Sequence, residues 1–215
     1  MNEKNNLSLD DLFITLIPSN SRKADIYTIK KLTYLANLMG KIDLTLIVNK
    51  QGVSRARTEL LTQLKQKLKE LNVKHTGFVK ALWFDDDIIM DLSTDMKLLV
   101  NSIIEADKND YNLTANYKYP FDEQLRNVIF HKAEKGYTPY SDVELDVMQN
   151  LAELKDSVAG LGFYYGYTPL NYAFHDDRIG EDINFFEENN IDLRFLKIRL
   201  FHEKKVYIWG GLLIS

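Results

Sequence analysis

The spacing of apolar and polar positions changes several times between Leu12 and Phe84. "LFITLI", Leu12 to Ile17, is an unbroken apolar run that closes in the polar "PSNSRK", the pattern of a buried strand leading into a loop. Ile26, Ile29, Leu32, Leu35 and Met39 then recur every three or four residues, which predicts a helix, and Gly40 follows where a helix would stop. "IDLTLIVNK" returns to strand character. Beyond it Ser54 stands as a helix N-cap, and Leu60, Leu61, Leu64, Leu68 and Leu71 form the apolar stripe of a second helix. "FVKALWF" reads as a third strand. Strand, helix, strand, helix, strand predicts parallel strands joined by right-handed crossovers, with their C-terminal ends along one edge of a sheet. Ligands of such sheets collect at that edge, and it gathers the Ile17–Arg22 loop, the Asn49–Arg57 connection and Asp85 to Asp87.

The remaining sequence is less regular. A helix is expected from Thr94 to Ala106, a strand within "YNLTANYKY", a helix over Ser141 to Ser157 and a short helix in "EDINFFEENN". "LRFLKIRLFHEKKVYIW" alternates like strands, and the apolar tail "VYIWGGLLIS" is expected to finish the sheet. With 215 residues, 45% of them hydrophobic, and neither an internal repeat nor a Pro/Gly/Ser linker, the chain predicts a single domain spanning 1–215. The fold class expected is α/β: a Rossmann-like, mostly parallel central sheet flanked by helices, with a smaller mixed C-terminal part.

Composition narrows the partners. A net charge of -4 and a pI near 5.6 argue against a protein that coats nucleic acid or anionic membrane. Cysteine is absent, which removes disulfides and thiolate chemistry. The opening "MNEKNNLSLDDL" is polar and unlike an export signal, and no apolar run approaches the roughly 20 residues of a membrane span, so a soluble cytoplasmic protein is expected.

Three adjacent carboxylates, Asp85, Asp86 and Asp87, directly follow the apolar "ALWF". They repel one another, and burying any of them is costly without a cation or strong hydrogen-bond donors. A hard divalent ion is one solution. On an extended chain Asp85 and Asp87 would face the same way and share it while Asp86 turns elsewhere. A solvated turn is the other.

The blocks "SRARTELL", "ALWFDDDIIM", "GEDINFF" and "FHEKKVYIW", in that order, resemble a nucleotide-sugar-dependent glycosyltransferase of the GT-A type, family 2-like, over roughly Leu12 to Trp209. The resemblance implies a donor-nucleotide half at about 12–90 and an acceptor and catalytic half at about 91–215. It implies a metal held by Asp85, Asp87 and His202, with Mn2+ favoured over Mg2+ if the imidazole is a ligand. It assigns Thr15, Pro18, Ser19, Asn49, Arg55, Arg57, Asp85 and Asp86 to the donor, most often a UDP-sugar, with Arg57 ahead of Arg55 as a partner for phosphate. Asp182 matches the base of inverting members, although Glu181–Asp182 is also a good acidic helix start. Tyr164, Tyr165 or Tyr167 would stack on a sugar of the acceptor, which is left open between glycan, lipid, protein and modified DNA. The cluster "HDDR", His175 to Arg178, reads as a solvated loop. Two rival readings stand beside this one. One is a glycoside hydrolase using Glu181 or Asp182 with a strand aspartate; the other is a nucleotide- or carbohydrate-binding protein without chemistry.

Overall fold

The computed structural model describes residues 7–19, 26–90, 94–117, 128–175, 181–202, 208–209 and 212–213, with His202 and the later residues described by backbone alone. Expectations that touch Asn20 to Arg22, Asp176 to Arg178 or the rest of the C-terminal tail lie outside them.

In chain order, β1 (Leu12–Ser19), α1 (Ile26–Leu38), β2 (Ile42–Asn49), α2 (Val53–Glu70) and β3 (Phe78–Phe84) come first. They are followed by β4 (Ile88–Ile89), α3 (Met96–Asn109), β5 (Asn112–Thr114), β6 (Ile129–Lys132), β7 (Tyr137–Pro139) and α4 (Asp142–Val147). Then come β8 (Ala152–Leu154), β9 (Ser157–Ala159), β10 (Phe163–Pro169), α5 (Glu181–Glu188), β11 (Leu193–Phe195), β12 (Phe201–His202), β13 (Ile208–Trp209) and β14 (Leu212–Leu213).

The protein is α/β, with a seven-stranded central sheet ordered β2-β1-β3-β10-β5-β11-β8. The sheet is mixed: β2, β1, β3, β5 and β11 run one way, while β10 and β8 run against them. Its two faces are covered differently. On one face α2 and α5 pack Leu60, Leu64, Phe185 and Phe186 against Trp83 and Tyr164; on the other α1 and α3 pack Leu32, Leu35, Leu99 and Ile103 against Phe13, Phe84 and Phe163. Each such buried side chain contributes about 1.5–3 kcal/mol of hydrophobic stabilisation. The stripe expected on α2 is the buried one, apart from Leu71, which is partly exposed.

Three local expectations differ from what forms. Helix α2 starts at Val53 with Gly52 before it, so Ser54 is not the cap but faces inward from the first turn. The helix expected over Ser141 to Ser157 stops at Val147, although Ser141 and Glu144 make a full capping box at its start. Beyond it positive φ at Leu151 (65°) and Asp156 (48°) breaks the helical path, giving β8 and β9. The expectation of a mostly parallel sheet holds for β2, β1 and β3, whereas β10 enters antiparallel between β3 and β5.

At the edge of the sheet away from the strand ends discussed below, Asn112 reaches across β10. Its Oδ1 accepts from the Tyr167 N–H at 2.8 Å and from the Tyr164 hydroxyl at 3.3 Å, and its Nδ2 donates to the Asp192 carbonyl at 3.0 Å. Only a glycine at 166 leaves room, because a Cβ there would meet the Asn112 side chain well inside contact distance. Gly166→Ala is therefore expected to lower stability by about 1–3 kcal/mol, read as a fall of several degrees in the thermal midpoint.

Candidate functional site

The order β2-β1-β3 means that the chain leaves β1 to one side and returns on the other, so strand order reverses between β1 and β3. Crevices at such reversals, beyond the strand C-termini, are where open α/β sheets hold ligands. Here the crevice is opened by sequence: β1 pairs with β3 only at Thr15–Leu82 and Leu16–Trp83, whereas its pairing with β2 continues to Ser19–Asn49. Pro18 falls after the last β3 pair, where a missing N–H loses no ladder bond. Across the gap the Ser19 hydroxyl donates to Asp86 Oδ2 at 2.7 Å.

Strand alternation assigns the aspartates. Ala81 and Trp83 face the α2 side and Leu82 and Phe84 the α1 side, so Asp85 emerges toward α2 and Asp86 toward β1 and Ser19. The chain then turns, with the Ile88 N–H bonded to the Asp85 carbonyl at 3.1 Å. Asp85 and Asp87 thus flank a tight turn, not the extended strand on which they were expected to face alike.

Arg57 lies beneath Asp85. It is 3% exposed, with its guanidinium 5.7 Å from the centre of the Phe174 ring. Nη1 donates to Glu181 Oε1 at 3.2 Å and to Asp182 Oδ1, and Nη2 is 3.7 Å from Asp85 Oδ1. The group that the sequence assigns to phosphate oxygens is thus committed to three protein carboxylates. Burial disfavours its charge, and Asp182, Asp85 and Glu181 more than restore it, so Arg57 stays protonated. Ser54, three residues earlier on the same helix face, donates its hydroxyl to Glu181 Oε2. Burial pushes the Glu181 carboxyl up, opposed by Arg57 and Ser54. Asp85 is pushed up from 3.8 to about 7, first by burial and then by repulsion from Asp182, Asp87 and Asp86, against the pull of Arg57.

The loop 160–162 joins the two carboxylate groups. The Leu161 N–H donates to Asp182 Oδ2 at 2.9 Å, and the Asp85 N–H donates to the Gly162 carbonyl at 3.0 Å. Gly162 is the tight point of this approach: a Cβ there would be 3.1 Å from the Tyr117 hydroxyl and 3.2 Å from Asp85 Oδ2, whereas one on Gly160 would make only ordinary contact, 3.5 Å from Asp182 Oδ2. Further along the same sheet edge a cavity of about 270 Å³ opens beyond β5 and β11, lined by residues including Asn116, Lys197 and Arg199.

Of the residues read from sequence, Ser19, Asn49, Arg57, Asp85, Asp86, Asp87 and Asp182 meet at this edge. The backbone of His202 pairs with Ile88, which brings β12 beside the aspartate turn. Arg55 is exposed on the outer face of α2. Pro18 is buried. Thr15 is completely buried in mid-strand, where its hydroxyl finds no hydrogen-bond partner among the described residues, so it does not reach the crevice. Tyr164 and Tyr165 are core residues, the first packed edge-on to Phe185 and Phe186 and the second bonded through its hydroxyl to Asp107. Tyr167 stacks on Phe78 and pairs with Lys80, five residues or about 17 Å back along β3 from the aspartates, so none of these tyrosines lines the crevice. Ser54 and Tyr117 are the additions, and Glu181, read from sequence only as a hydrolase carboxylate, joins them as a partner of Arg57. The spacing of Ser54 and Arg57 on one helix face was a usable signal, whereas nothing local marks Tyr117.

Among the described residues, no three His, Asp or Glu side chains are already arranged to hold a metal ion. The donor chemistry nevertheless fits a hard divalent cation: burial first, and then repulsion from Asp182, Asp87 and Asp86, raises the proton affinity of Asp85, and a cation there would take further oxygens from a bound diphosphate. No helix of the described residues is long and apolar enough to cross a membrane. No protein-family model matches the chain, and no curated protein sequence matches it.

The raised Asp85 pKa has a measurable sign. Asp85 holds its proton more tightly folded than unfolded, so the stability it lends at low pH is lost as pH rises from about 4 towards 7. Wild type is expected to lose thermal stability relative to Asp85→Asn across that window, and parallel midpoints for the two proteins would show that Asp85 titrates normally.

Proposed function

We propose that the protein is a metal-dependent glycosyltransferase that moves a sugar from a nucleotide donor, a UDP-sugar in the first instance, with inversion at the anomeric carbon. The observation that supports this most is the convergence at one strand-order reversal of four segments remote in sequence: the β3 aspartates, the α2 pair Ser54 and Arg57, the α5 start at Glu181 and Asp182, and the β12 backbone.

Each residue then has a task. Ser19 and Asp86, bonded across the crevice, and Asn49 beside them form the wall for the nucleoside. Asp85 and Asp87, with His202 as the expected third ligand, would hold Mn2+ or Mg2+. That cation supplies charge neutralisation for the departing diphosphate. Asp182 is 30% exposed and has one oxygen held by the Leu161 N–H and the other by Arg57. From that position its carboxylate removes the proton of an acceptor hydroxyl while the acceptor oxygen attacks the anomeric carbon and the bond to the diphosphate breaks. The cavity at Asn116, Lys197 and Arg199, further along the same sheet edge, would receive the acceptor.

The hydrolase reading is less favoured because Glu181 is buried with both oxygens engaged, so it is not placed to protonate a leaving sugar. The test is a panel of nucleotide sugars assayed for release of free sugar or transfer, with Mn2+ and with chelator. Turnover of at least one donor that disappears with chelator is expected; turnover indifferent to chelator, or none, would contradict the proposal. Asp182→Asn is expected to keep donor affinity and lose roughly two to four orders of magnitude in rate. A near-normal rate would remove Asp182 as the base and leave it an acidic helix start worth about 0.3–1 kcal/mol.

A further inference from the structure

Glu181 and Asp182 are adjacent carboxylates with different surroundings. Glu181 is 7% exposed and saturated: the Ser54 hydroxyl donates to one oxygen and Arg57 Nη1 to the other. Ser54 and Arg57 lie about one helical turn apart on α2, so α2 grips the first residue of α5 at two points. The same nitrogen, Arg57 Nη1, donates to Asp182 Oδ1, while Oδ2 is held by the Leu161 N–H at 2.9 Å. Both oxygens of Asp182 therefore have fixed directions although its side chain is 30% exposed.

We propose that Arg57, held in place by Glu181 and Ser54, is a positioning residue that fixes the Asp182 carboxylate against the 160–162 loop, and that Glu181 orients Arg57 and takes no part in proton transfer. The catalytic consequence rests on the transferase reading; the mechanical one does not. A lysine at 57 would keep the charge but lose the flat fork. From one site below Phe174, Arg57 reaches Glu181 and Asp182 through one nitrogen and faces Asp85 through the other. This arrangement also explains why a phosphate-seeking role does not suit Arg57: it is 3% exposed and already shared among three carboxylates.

The test uses the full chain and three variants, Arg57→Lys, Glu181→Gln and Ser54→Ala, the last of which leaves every buried charge in place and keeps the test alive if the others fold poorly. The first readout is hydrogen exchange at the Leu161 amide, whose bond to Asp182 reports the carboxylate's position. Exchange is expected to rise by about tenfold or more in Arg57→Lys, and by less in the other two, while amides of the β1–β2 ladder stay protected. The second readout is the division between kcat and KM for a nucleotide-sugar donor. A fall in kcat of about a hundredfold for Arg57→Lys, with donor KM unchanged, is expected of a misplaced base. Unchanged Leu161 exchange in all three variants would overturn the proposal. A loss confined to KM would also overturn it and make Arg57 a donor contact. If the wild-type protein turns over no donor, the exchange measurement alone decides: faster exchange upholds the hold of Arg57 on Asp182 while the transferase reading fails, and unchanged exchange removes both.

Discussion

A single buried guanidinium shared among Asp85, Glu181 and Asp182 is the constraint on which the rest of the site depends. Of the three carboxylates gathered around this one buried cation, Glu181 is buried and Asp85 and Asp182 are partly exposed, and their mutual repulsion is offset only while Arg57 keeps its place. That mutual dependence joins α2, the end of β3 and the start of α5 into one unit. Ser54 adds a neutral donor to Glu181. The 160–162 loop passes between Asp182 and Asp85, with the Leu161 N–H donating to the first and the Gly162 carbonyl accepting from the N–H of the second. Asp85 is the least satisfied member, since burial and three neighbouring carboxylates outweigh its distant contact with Arg57, and it is the position at which added positive charge would relieve most repulsion.

The sheet supplies the setting. Pairing between β1 and β3 ends early, Pro18 follows, and the Ser19–Asp86 bond spans the opening. Entry of β10 antiparallel beside β3 turns the 160–162 loop toward the same edge, and the pairing of β12 with β4 returns the chain to the aspartate turn. Four segments that are distant in sequence meet because strand direction dictates which ends share an edge, and a single reversal in strand order brings them to one crevice.

The first half of this architecture was legible in the sequence because its hydrophobic spacing is local and unbroken: three strands and two helices lie within a residue or two of where the pattern puts them. The edge location of Asp85 to Asp87 followed from that order alone. What was not legible depended on contacts between distant segments. Whether Arg57 meets phosphate or protein is decided by α5, more than a hundred residues later, and the tyrosines of "AGLGFYYGYTPL" read as ligand-facing only until β10 is placed inside the sheet. Thr15 was assigned to the donor by the resemblance alone, yet its place in β1 leaves it buried in mid-sheet. The segment after Val147 was expected to stay helical, and the turns at Leu151 and Asp156, both with positive φ, divide it into two short strands.

The central claim is that the crowded carboxylates at the end of β3 form a cation-dependent diphosphate site. Calorimetric titration of UDP into the full chain, with Mn2+ present and then with excess chelator, tests it most directly. The account predicts saturable binding with Mn2+ that disappears with chelator. UDP binding of equal strength under both conditions, or no binding under either, would contradict it.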